Sequence, residues 1–122
     1  MDRTRVMLAR LPRMLREILE RAAEDMRIDV VAVLSDDDDL PSALVQRRAH
    51  AIVLGMHGDS PDALVSALLA VAGTLCVMTV SDSGRVATVH RANAAPLTLE
   101  NLSPRDLLGA LEASAGAART FP

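Results

Sequence analysis

The 122-residue chain has no tryptophan, no tyrosine and no lysine, and only one phenylalanine and one cysteine. Each absence removes a class of chemistry. With almost no aromatic rings, single-stranded nucleic acid has no platform on which to stack its bases. Without lysine there is no amine for a Schiff base and no ammonium for phosphate; all 13 basic residues are arginine. A single cysteine, Cys76, excludes an internal disulfide and a multi-cysteine zinc site. It sits in an apolar run, where a buried, inert thiol is expected. The longest apolar stretch, residues 63–80, is interrupted by Ser66, Gly73, Thr74 and Thr79, so no segment reads as a membrane span. The opening MDRTRVMLARLPRML interleaves arginine with apolar residues and has no continuous signal-peptide core. A cytoplasmic protein is expected.

What is present suits one domain, residues 1–114, with a flexible tail over 115–122. A domain of this size buries roughly two thirds of its unfolded surface, enough for a core without staples. That core must come from Val, Leu, Ile, Met and twenty alanines. Net charge is −3, distributed as +2 over residues 1–27, −5 over 28–62 and zero beyond. The balance argues against nucleic acid as a partner, since that needs a basic footprint.

Residues 5–9 (RVMLA) read as a strand, followed by a helix from Pro12 with Met14, Leu15, Ile18, Leu19, Ala22 and Ala23 on its apolar face. The pairs Arg13–Glu17 and Arg16–Glu20 lie at i,i+4 on the other face. Residues 29–34 (DVVAVL) read as a buried strand. The acidic run 36–39, Pro41 and a short helix to about Arg48 come next, then a strand over 49–56. Ser60-Pro61-Asp62 starts a helix that Gly73 stops. Residues 74–80 (TLCVMTV) are apolar on both faces, as a central strand would be, and 85–91 (RVATVHR) form another strand. Residues 92–102 read as a loop, and Ser103-Pro104 opens the last helix. The order β-α-β-α-β-α-β-β-α predicts a mostly parallel sheet of five strands with helices on both faces. The short link before the fifth strand predicts an antiparallel terminal hairpin, with residues 85–91 at the sheet edge.

The segments RVMLARLPRMLREIL, AHAIVLGM and LSPRDLLGALEA resemble the receiver domain of bacterial response regulators, over about residues 5–113. The resemblance implies an α/β, flavodoxin-like three-layer sandwich, with the terminal hairpin replacing the usual fourth helix. It also implies where the receiver's reactive residues would fall, and these depart from the pattern. Arg10 and Leu11 stand where the metal-holding acids would be, and Gly55 where the phospho-accepting Asp would be. His90 and Arg91 stand nearest the conserved Lys, and only the hydroxyl position keeps its type, as Ser81 or Thr79. An arginine cannot replace a carboxylate ligand of Mg²⁺, and a glycine cannot accept phosphoryl. The resemblance therefore implies a degenerate receiver that acts by contact: not an enzyme, with no catalytic residue, cofactor or metal. Its expected partner is another protein or a second copy in a homodimer.

Ligands of α/β sheets bind beyond the C-terminal strand ends. There Arg10, His57, Gly58, Asp59, Ser60 and Ser81 make a candidate site for a small anion or nucleotide, leading into a helix N-terminus. A plain capped turn is the alternative. Residues 36–39 fit either a divalent cation or a solvated loop whose last acids start a helix. His50 and His57 lie roughly 23 Å apart along a strand at about 3.3 Å per residue, too far to share a metal. The candidate interaction surface is the edge strand, through Arg85, Val86, Thr88, Val89 and Arg91. Leu97, Leu99 and Leu102 either cover that edge or join the interface.

Overall fold

A computed structural model of the chain describes residues 4–26, 28–34, 39–55, 62–71, 76–81, 85–91 and 95–120, by backbone alone at 62 and 114–120. Its elements run β1 (Thr4–Ala9), α1 (Arg13–Glu24), β2 (Ile28–Leu34), α2 (Leu40–Arg47), β3 (Ala51–Gly55) and α3 (Asp62–Val71). Then come β4 (Cys76–Val80), β5 (Ala87–Arg91), β6 (Leu97–Leu99) and α4 (Pro104–Thr120). The strands form one mixed sheet in the order β2-β1-β3-β4-β5-β6, parallel through β4 and antiparallel beyond it.

The central strands are buried on both faces because both faces are covered. Val6, Leu8, Ala51, Val53, Cys76, Met78 and Val80 pack with Leu15, Leu19 and Ala23 of α1 and Leu107, Leu108 and Leu111 of α4. Met7, Ala9, Ile52, Leu54 and Val77 pack with Leu40 and Leu44 of α2 and Val65 and Leu68 of α3. The result is three layers with small aliphatic side chains at both seams. The alternation of faces continues past β4, but its chemistry changes. In register with Val77 and Thr79 stand His90 and Thr88, and Thr98 follows in β6. Thr79 Oγ1 lies 3.4 Å from His90 Nε2, and the Thr88 and Thr98 hydroxyls are 3.2 Å apart. This polar ladder continues the α2/α3 face beyond its apolar cluster.

Four expectations are corrected. The sheet has six strands, because Leu97, Thr98 and Leu99 pair with Val89, Thr88 and Ala87. So β5 is an inner strand, and β6 forms the edge. Its opposite, β2, is also an edge strand: only Ile28 is fully buried, Val33 is 43% exposed, and a bulge interrupts its register with β1 between Val6 and Met7. On α1 the buried face is the half carrying Leu15, Leu19 and Ala23; Met14 is 75% and Ile18 42% exposed. Finally, α4 is helical to Thr120, through positions where a tail was expected.

Arg13–Glu17 (3.1 Å) and Arg16–Glu20 (3.5 Å) form as expected, but such exposed pairs contribute little. No helix among the described residues is long and apolar enough to cross a membrane.

The split of the α1 face gives a direct test. Leu19→Ala should cost about 2–5 kcal/mol by opening a cavity under a fully buried side chain. Met14→Ala, one residue from the buried face, should stay within about 0.5 kcal/mol. Urea midpoints of the two variants measure the difference.

Candidate functional site

The C-terminal ends of β1 and β3 flank the point where the chain changes direction across the sheet, the usual ligand crevice of such folds. Here, among the described residues, the main chain of Arg10 and Leu11 lies against Gly55. Arg10 turns out of β1 with φ 56°, and its N–H donates to the Leu34 carbonyl at 3.1 Å. That turn lays the Arg10 carbonyl directly on Gly55. A Cβ at Gly55 would collide with the Arg10 carbonyl oxygen, with the carbonyl carbon at 2.9 Å and Leu11 Cα at 3.3 Å. Gly55 is required here for close approach rather than for an unusual φ.

Ser81, at the end of β4, closes the β4–β5 turn. Its N–H donates to the Val86 carbonyl at 2.9 Å, and its hydroxyl accepts from the Val86 N–H at 3.3 Å. Thr79, the alternative hydroxyl, is buried beside His90. His57, Gly58, Asp59 and Ser60 lie outside the described residues, as do 36–38. Asp39, the last acid of that run, caps α2: its Oδ1 accepts from the Ser42 N–H at 3.3 Å and its Oδ2 from the Ser42 hydroxyl at 2.9 Å. Among the described residues no group of three His, Cys, Asp or Glu side chains could hold a metal ion.

His90 and Arg91 do not reach this end of the sheet. Because β5 runs antiparallel, Arg91 pairs with Cys76 and His90 with Val77, while the end beside Gly55 and Val80 receives Ala87. The cation brought to this end from the hairpin is Arg85. It lines a cavity of about 440 Å³ with Leu15, Asn101, Leu102, Ser103, Pro104 and Leu107. The Leu102 N–H donates to the Arg85 carbonyl at 3.0 Å. At the foot of α4, Ser103 and Asp106 cap one another: the Asp106 N–H donates to Ser103 Oγ (3.1 Å), and the Ser103 N–H to Asp106 Oδ2 (3.2 Å). The Ser-x-x-Asp spacing signals that cap in the sequence. The cavity has no sequence signal, because it arises where α1, the hairpin and α4 meet.

The expected interaction strand is dismantled by its placement. Arg85 and Val86 precede β5 and are exposed, whereas Thr88 and Arg91 are half-buried and Val89 is buried. Both sides of β5 are paired, so its main chain offers no edge. Cys76 is fully buried, as expected. Burial pushes its thiol up to about 11, with Arg91 pulling weakly the other way.

Comparison with protein-family models, with curated proteins and with solved structures finds no match to this chain.

Gly55→Ala should lower stability by about 3 kcal/mol, the upper range for overpacking, since the obstacle is main chain and cannot rotate away; chemical denaturation measures this directly. The Cys76 thiol sets a second expectation. Its proton is held more tightly folded than unfolded, so its contribution is full below pH 9 and is lost as pH rises toward 11. The loss is roughly 2–3 kcal/mol. Denaturation curves from pH 8 to pH 11 should show that decline, and Cys76→Ala should lack it.

Proposed function

We propose that this chain is a receiver-like regulatory module on a flavodoxin-like scaffold, acting in the cytoplasm by protein contact and not by phosphoryl transfer. Its partner is another protein or a second copy of itself. The observation that carries the reading is the Arg10 carbonyl seated on Gly55. In a phosphorylated receiver the matching position must carry a carboxylate facing a metal. Here there is neither a side chain nor space for one. The strand order β2-β1-β3-β4, with helices on both faces, supports the scaffold. Exposed Met14, Ile18 and Leu97 supply apolar surface for contact.

A second reading, a small-anion sensor, is favoured by the cavity lined by Arg85 and by Leu15, Leu102 and Leu107. Its size falls within the range of small-molecule sites. One experiment separates the two: native mass spectrometry of untagged protein purified from its own host, before and after incubation with acetyl phosphate and Mg²⁺. A bare dimer, or a complex with another protein, without a phospho-adduct is the expected result. A monomer carrying a small extra mass replaces the contact module by the sensor. A stable adduct of phosphate mass refutes the proposal.

A further inference from the structure

At the opposite end of the sheet the β1–β3 ladder ends in an irregular way. The His50 N–H donates to the Arg5 carbonyl at 2.8 Å, one residue before the Ala51 N–H that the Val6–Ala51 register sets opposite that carbonyl. By that register the Arg5 N–H should go to the carbonyl of Ala49. It goes instead to the His50 ring, at 3.0 Å from Nδ1. The Arg48 carbonyl is taken by the Arg5 side chain, whose Nε lies 3.3 Å from it and 3.1 Å from the Arg47 carbonyl; Nη2 lies 2.7 Å from the latter. Arg5 thus closes the C-terminus of α2, where a cation suits the helix dipole, and its own N–H takes the imidazole as acceptor in place of a ladder carbonyl. Arg48 is the left-handed C-cap of α2, with φ 52°.

We propose that the Arg5–His50 pair is a pH-sensitive clamp, in which the His50 ring holds the Arg5 N–H at the start of β1 only while the ring is neutral. A ring that accepts at Nδ1 carries its proton on Nε2. A second proton turns Nδ1 into a donor aimed at the Arg5 N–H, and the hydrogen bond is lost. Among the described residues, the elements next to the clamp contribute Arg5 from β1, Arg47 and Arg48 from α2, Cys76 from β4 and Asp29 from β2 as charged or titratable groups. The Cys76 N–H donates to the His50 carbonyl at 3.2 Å, and Asp29 is the register partner of Arg5. The sign follows from the ring chemistry: the clamp is intact above the imidazole range and opens as pH falls through it. Opening releases the Arg5 N–H at the start of β1 and leaves the guanidinium contacts to α2 and both apolar clusters in place.

The test is a pH titration of the full chain from 8 to 5 by amide NMR and hydrogen exchange. Protection of the Arg5 amide should fall roughly tenfold, the worth of one such bond. Its resonance should titrate with the same midpoint as the His50 ring protons. Intrinsic exchange slows on acidification, so a loss of protection has the opposite sign to the background. His50→Asn keeps an acceptor oxygen near the Nδ1 position but cannot titrate, and should abolish the dependence. His90→Asn should preserve it. An Arg5 amide indifferent to pH, a midpoint different from that of the His50 ring, or an unchanged titration in His50→Asn overturns the proposal. The midpoint comparison needs no variant, so it decides even if His50→Asn fails to fold.

Discussion

The contact of the Arg10 main chain with Gly55 determines what the C-terminal end of the sheet can do. In a parallel α/β sheet the first and third strands part company here, and the gap between their loops normally receives a ligand. In this chain a left-handed turn at Arg10 lays its carbonyl against Gly55, the last residue of β3. Glycine at the end of β3 is then obligatory, and any chemistry that starts from a side chain at that position is excluded. Among the described residues a cavity lies on the α1/α4 side, at Arg85 and the foot of α4.

The second organising feature is the reversal after β4. Once β5 runs antiparallel, residues that a parallel strand would deliver to the loop end are carried to the other end. His90 and Arg91 meet Val77 and Cys76, and the place beside Val80 goes to Ala87, with Arg85 two residues before it in the hairpin. The reversal also adds β6, and the α2/α3 face of this hairpin carries a Thr and His ladder where a helix-covered strand would carry Val or Leu. Polar side chains that bond one another across strands need no helix above them.

Much of the layer structure was legible because burial writes itself into residue type. The apolar runs of β3 and β4 imply cover on both faces, and Ser103-Pro104 marks the start of α4 as helix chemistry requires. Periodicity on α1 gave the width of the apolar stripe. It could not tell that Leu15, Leu19 and Ala23 are covered and Met14 and Ile18 are not, since that depends on where neighbouring elements stop. The three residues of β6 follow a proline and are too few to show alternation, so pairing with β5 alone makes them a strand. At the site, the role of Gly55 was invisible because a glycine after a strand reads as a turn signal, whereas its reason is a tertiary contact 45 residues distant in sequence. The placement of Arg85 was hidden for the same reason, since Asn101 to Leu107 reach it only through the fold.

Each outer margin of the sheet carries its own obstacle to extension. On β2 the bulge opposite Val6 and Met7 breaks the even spacing of donors and acceptors along the strand. On β6 the free run is three residues, and Pro96 precedes it with no N–H to offer. A visiting strand would find neither a long nor a regular template on either side. A chain rich in β-branched and aliphatic residues is thereby kept from growing, strand by strand, into a larger sheet.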